Sequence, residues 1–221
     1  MEEPIRQIAI WAVPLLAAVV FHEMAHGWVA NRLGDPTAAN LGRLSFNPLV
    51  HIDLFGSILI PLMLILSHSP FVFGYAKPVP VNFHNLRHPK RDMIWVALAG
   101  PVMNLILAFI CVVAWKRLAT LADNPQMVAG AVTQLLAPLM LMAQGGILIN
   151  IGLAVFNALP LPPLDGGRVM VGLLPQPLSA KLARLEPYGF IILFVLLMTQ
   201  TVDHIIDPPM AFLLKVYLGL V

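Results

Sequence analysis

The sequence predicts an all-α polytopic membrane protein, with about 4–6 transmembrane or re-entrant helices and a small β or extended segment. Three observations carry this. The chain is 59% hydrophobic and only 11% charged, whereas soluble domains carry about 25% charged residues. Its mean hydropathy is +0.84. Apolar runs approaching or exceeding the roughly 20 residues that span a bilayer recur along its length. We read residues 1–221 as one membrane-embedded domain, with no repeat and no polar connection long enough for an appended domain.

The first helix is expected over 8–33, opening with fourteen consecutive apolar residues from Ile8 to Phe21. Glu2 and Glu3 stand where a signal peptide has its basic region, so no cleaved leader is expected. Residues 54–66 form a short apolar helix with Pro61 inside; its length suits a re-entrant segment better than a crossing. The third element, 93–117, has Asn104 as its one strongly polar interruption before its basic end. No Asp, Glu, Lys or Arg occurs from Asn124 to Leu164, and helix 127–157 lies inside that run. Gly145, Gly146 and Gly152 permit bending or close packing there. A further crossing is expected over 188–204, and a short or interfacial helix over 210–221, interrupted by Lys215.

The net charge of +2 suggests no nucleic-acid partner. Cys111, the single cysteine, sits in an apolar run and reads as a small buried hydrophobe. Nine of the thirteen basic residues fall on one side if the first helix runs outside to inside and 54–66 re-enters. That bias makes the C-terminal end of the first helix the cytoplasmic end.

His22-Glu23-Met24-Ala25-His26 lies within the first helix. Positions i and i+4 share a helix face, so the two imidazoles can grip one metal ion, with Glu23 close to a water bound there. The composition predicts about 0.004 chance occurrences of HExxH, so the motif is not a product of histidine content. Titratable groups at membrane depth are costly and mark functional sites. At 1.5 Å per residue, His22 lies about 21 Å along a core about 30 Å thick, roughly 9 Å from the cytoplasmic boundary.

Catalytic zinc takes three protein ligands and keeps one open position. Asp165 is the best third candidate, in Asn157-Ala-Leu-Pro-Leu-Pro-Pro-Leu-Asp165-Gly166-Gly167. Three prolines break the helix, and irregular backbone at membrane depth must line water or be buried in protein. The competing reading is an interfacial loop with Asp165 solvated or paired to Arg168. His51, Asp53, His84, His88 and Glu186 are rival ligands in more polar contexts.

The stretches FHEMAH (21–26), ALAGPVMN (97–104) and NALPLPPLDGG (157–167), in that order, resemble the site-2 protease family of intramembrane zinc metalloproteases. The likeness is closest to compact members without a PDZ domain. It implies one zinc ion held by His22, His26 and Asp165, with Glu23 as general base. It also implies that Asn157 faces the site and helps hold the substrate or its oxyanion; a helix-to-helix hydrogen bond is the plain alternative. Gly100, Pro101 and Asn104 match the family's third-helix pattern, read here as close packing. Pro78 and Pro80 make 73–82 extended, either a connecting loop or an edge for strand addition to an unwinding substrate.

The expected function is therefore intramembrane zinc proteolysis within or near transmembrane segments of other membrane proteins, in a multi-pass protein of the cell membrane. A membrane metal transporter and a non-catalytic metal-binding scaffold are the alternatives. The expected partners are a transmembrane protein or peptide substrate and the bilayer.

Overall fold

The computed structural model describes residues 2–68, 74–123 and 131–220. Helix α1 (Glu2–Arg32) is followed by a four-residue turn of helix, α2 (Thr37–Asn40). Asp53 opens the next element: its carboxylate accepts from the amides of Phe55, 3.0 Å, and Gly56, 2.7 Å. That cap starts a π-helical stretch, Leu54–Leu59, which continues as α3 (Ile60–Leu66). Thirteen residues in all reach about 20 Å at helical rise, short of a core about 30 Å thick. Among them only Gly56 is buried, and Leu54, Phe55, Met63 and Leu66 are exposed. The short apolar helix is thus present, and by length it falls short of a full crossing.

Pro89 begins α4 (Pro89–Ala122), where its missing amide costs nothing. After it come α5 (Ala131–Asn157), α6 (Asp165–Leu173), α7 (Leu178–Ala183), α8 (Gly189–Met198) and α9 (Thr201–Gly219). The first four residues of the helix expected from 127 lie outside the described residues.

The long helices α1, α4 and α5 pack against one another, and α6 lies on α4. The α4–α5 seam buries Ala108, Val112, Ile147, Ile151 and Val155, with Ile206, Met210 and Tyr217 of α9 against it. Small and β-branched residues suit such a seam, because helices in lipid associate by close packing rather than by expelling water. Trp11, Trp28, Ile106, Phe109 and Leu148 point outward from the same helices. Among the described residues, three helices are long and apolar enough to cross a membrane, or four if the bent pair ending in α8 and α9 counts as one span.

Two expectations change. Residues 188–204 do not form one continuous helix: the chain breaks after Met198, Gln200 takes φ 56°, and the next helix leaves at 82°. Residues 210–221 are not a separate interfacial piece. Of these, 210–219 belong to α9, whose Tyr217 hydroxyl donates to the Leu105 carbonyl at 3.1 Å, and Val221 lies outside the described residues. The bend turns α9 back onto α5, and packing there prevails over the polar Lys215 that argued for the interface.

Residues 74–82 take no helix, and no strand occurs among the described residues. Instead this strap hangs on single bonds: Tyr75 N–H to the Gly56 carbonyl, 3.0 Å, and Lys77 N–H to the His51 carbonyl, 2.9 Å. Pro78 and Pro80 lack the donors a continuous ladder needs. Phe73, which was expected to open the segment, lies outside the described residues.

Candidate metal centre

Four-residue spacing brings the His22 and His26 rings edge to face, their centroids 4.6 Å apart. Their Nε2 atoms are 3.0 Å apart, and Asp165 Oδ2 is 3.2 Å from each. All three residues are buried.

The opposite ring nitrogens define the tautomers. His26 Nδ1 is 2.7 Å from the Val96 carbonyl, which can only accept. His22 Nδ1 is 2.6 Å from Asn104 Oδ1. The Asn104 amide nitrogen is already donating to Asn150 Oδ1, 2.8 Å, and to the Ala18 carbonyl, 3.2 Å, so its oxygen faces His22. Asn150 is oriented in turn by donating to the Gly146 carbonyl at 2.8 Å. Both Nδ1 atoms therefore carry hydrogen, and both Nε2 atoms present lone pairs to one point.

Asp165 Oδ2 is buried there without a hydrogen-bond partner. Buried acceptors that converge without a donor need a cation. Two imidazoles and a carboxylate suit zinc, and bonds of 2.0–2.2 Å in a tetrahedron put ligand atoms about 3.3 Å apart. The observed 3.0–3.2 Å spacings match, so these residues can hold a zinc ion.

Backbone shape makes the cluster possible. Pro160, Pro162 and Pro163 keep the chain irregular until Leu164, extended at ψ 158°, and α6 begins at Asp165 itself. Gly166 and Gly167 pass so close to the backbone of Ala158, Leu161 and Pro162 that a Cβ on either would overlap it. Gly100 does the same on α4, where a Cβ would overlap both histidine rings.

A cavity of about 530 Å³ opens beside the cluster, lined by Glu23, Val79, Asn157, Arg168 and Phe190 among others. Glu23 Oε2 accepts from the Val79 amide at 2.7 Å. Asn157 donates to its own helix at the Leu153 carbonyl, 3.0 Å, while lining the cavity. Arg168 does not pair with Asp165; it lies 3.5 Å from Glu186.

Rival ligands take other places. His51 is buried, with Nε2 2.8 Å from the Ser45 carbonyl, and Asp53 is the cap described above. Glu186 lines the cavity, but no residue joins His22, His26 and Asp165 in a metal-sized cluster among the described residues. Sequence reasoning missed Asn150 and read Asn104 as packing alone. The available signal was an amide inside an apolar helix, which at membrane depth must find a partner.

Outside the spans, Asp35 is fully buried in the loop after α1. Burial alone would push its carboxyl up. Donors from Thr37 and Asn85 side chains and from the Asn82 and Thr37 amides outweigh this and hold it below the usual carboxylate range.

Fold and site together define a multi-pass membrane protein with a donor set of the zinc metallopeptidase type. The chain belongs to peptidase family M50, the site-2 protease family, whose profile matches residues 10–199. It is 38% identical over 206 residues to YwhC of Bacillus subtilis, covering 93% of this chain and 87% of that protein. It is 30% identical over 196 residues to Rip2 of Mycobacterium tuberculosis, covering 89% of this chain and 68% of that one. The names of both describe candidate zinc metalloproteases. No solved structure gives a significant match. The chain is thus a membrane zinc metallopeptidase.

Proposed function

We propose that this chain hydrolyses peptide bonds within or near transmembrane segments of other membrane proteins, from a site nearer the cytoplasmic face. The observation carrying this is the shared cavity: the Glu23 carboxylate and the three-donor cluster open onto one space inside a bundle of membrane-length helices.

His22, His26 and Asp165 hold the metal, and Asn104 and the Val96 carbonyl keep the two imidazoles in the binding tautomer. A bound zinc ion supplies Lewis acidity and brings the pKa of water from 15.7 to about 7. Glu23 takes the proton of the attacking water and delivers it to the leaving amine. Asn157, beside the same cavity, steadies the scissile carbonyl. A helical substrate has its carbonyls hydrogen-bonded, so the preferred sites are helix-weakened stretches near the cytoplasmic edge. The excess of basic residues at that end of α1 supports the orientation.

The test is zinc content and cleavage of a panel of single-span substrates by purified wild type and Glu23→Gln. Zinc in both proteins with cleavage by the wild type alone supports the reading. Equal cleavage removes Glu23 from its role, and zinc without any cleavage favours a transporter or scaffold. Unchanged zinc in Asp165→Ala would take that residue out of the ligand set.

A further inference from the structure

We propose that Asp35 is a positioning residue for the reaction, acting on Glu23 through the strap of residues 74–82. The inference rests on the role of Glu23 proposed above.

Pro78 and Pro80 have no amide hydrogen, so Val79 is the one backbone donor in Pro78-Val79-Pro80. That donor goes to Glu23 Oε2 at 2.7 Å. Three residues on, the Asn82 amide donates to Asp35 Oδ2 at 2.6 Å. Asp35 is not a free anchor. Its own amide donates to the Ala30 carbonyl of α1 at 2.9 Å, folding it back beside that residue. Glu23 and Ala30 are on the same helix, seven residues apart.

These links close a ring: Glu23 to Ala30 along α1, across to Asp35, to Asn82, back along the strap to Val79, and onto Glu23. The two long sides agree in length. Seven helical residues rise about 10 Å at 1.5 Å each. Three extended residues span about 10 Å at 3.3 Å each. α1 thus sets the height of the strap through Asp35, and the strap sets one oxygen of Glu23 through Val79. Misplacement of a reacting group by about 1 Å can cost a hundredfold in rate, which gives such a ring its function.

The two carboxylate oxygens of Asp35 divide the work, and this makes the inference testable. Oδ1 serves the local turn, accepting from the Thr37 amide at 3.1 Å, the Thr37 hydroxyl and Asn85 Nδ2 at 3.0 Å. Oδ2 takes the strap. Asp35→Asn can keep the turn while turning an NH2 group toward the Asn82 amide. Thr37→Val removes a turn contact and leaves the strap bond.

The experiment compares wild type, Asp35→Asn, Thr37→Val, Val79→Pro and the Asp35→Asn/Val79→Pro double variant, each as the full chain in detergent. Three readouts are zinc per chain, hydrogen exchange of the peptide spanning 79–85, and kcat and KM on a single-span substrate. In Asp35→Asn, exchange in 79–85 should speed up about tenfold and kcat fall about tenfold or more, with KM and zinc within about twofold. Thr37→Val should match wild type in exchange of the 79–85 peptide and in kcat. The double variant should lose no more than the worse single one, because both cut the same ring.

Unchanged exchange in Asp35→Asn overturns the proposal, as do additive losses or a rise in KM with kcat intact. So does loss of zinc or of folding in Asp35→Asn while Thr37→Val stays intact, which would make Asp35 a fold element. The exchange readout needs no substrate. A wild type that cleaves nothing would therefore count against the protease reading and still decide whether Asp35 holds the strap.

Discussion

Asn104 Oδ1 on α4 lies 2.6 Å from His22 Nδ1 on α1, and this contact makes a residue 82 positions away part of the metal centre. Its amide nitrogen is held by Asn150 and by the Ala18 carbonyl, so the acceptor cannot rotate away without leaving buried groups unpaired. Asn104→Ala removes the acceptor that keeps hydrogen on Nδ1. Zinc affinity should fall about 10–100-fold with the helices intact. Competition against a chelator of known affinity measures this; unchanged affinity would reduce Asn104 to packing.

Gly100 illustrates how tightly α4 meets the site. A Cβ built there overlaps His26 Nε2 and the His22 ring. The helix or the rings must shift, and overpacking of this kind costs about 1–3 kcal/mol. Gly100→Ala should therefore lower the melting temperature and the zinc bound per chain together. Gly219→Ala, where a Cβ meets nothing within 4 Å, is the matching control and should leave both unchanged. Full zinc in Gly100→Ala would mean that the rings yield at little cost.

The Asp35 carboxyl, held below its ordinary 3.8, makes stability depend on acid. A depressed folded-state pKa means that the unfolded chain binds the proton first as pH falls. The contribution of Asp35 is thus complete above about pH 5 and is lost on descending through 3.8 toward the lower folded value. Asp35→Asn should be less stable than wild type at neutral pH, and the gap should narrow below about pH 4. Melting temperatures from pH 7 to pH 3 would show it; a gap independent of pH would contradict the assignment.

What the sequence discloses here follows from where the chemistry is written. His22 and His26 are legible because one helix carries both, and helical periodicity alone puts them on one face. Asp165 is legible because prolines and glycines mark an irregular backbone that lipid would otherwise forbid. The hold on Glu23 is illegible for the opposite reason: its donor is the amide of Val79, and a backbone group leaves no side-chain signature. Asn150 hides as one of six side-chain amides in the uncharged run from Asn124 to Leu164. Its partner on another helix emerges only when α4 and α5 are packed.

The break between α8 and α9 was hidden for a further reason, and it yields a last prediction. No glycine or proline marks it; Thr199-Gln200-Thr201 does, while Pro208 and Pro209 sit inside α9. Gln200 adopts φ 56°, a left-handed conformation that disfavours any residue with a Cβ. The bend persists because it lets Val202 of α9 pack with Leu193 of α8 and Leu164, all three buried. Holding a residue with a Cβ there costs on the order of 1 kcal/mol. Gln200→Gly relieves that cost in the folded state, although glycine also loosens the unfolded chain. A small rise in melting temperature is the expected sum. Gln200→Val, β-branched and less tolerant of positive φ, should lower it by several degrees. Were Gln200→Val as stable as wild type, the turn would have to form without a left-handed residue, and α9 would leave α8 at a different angle.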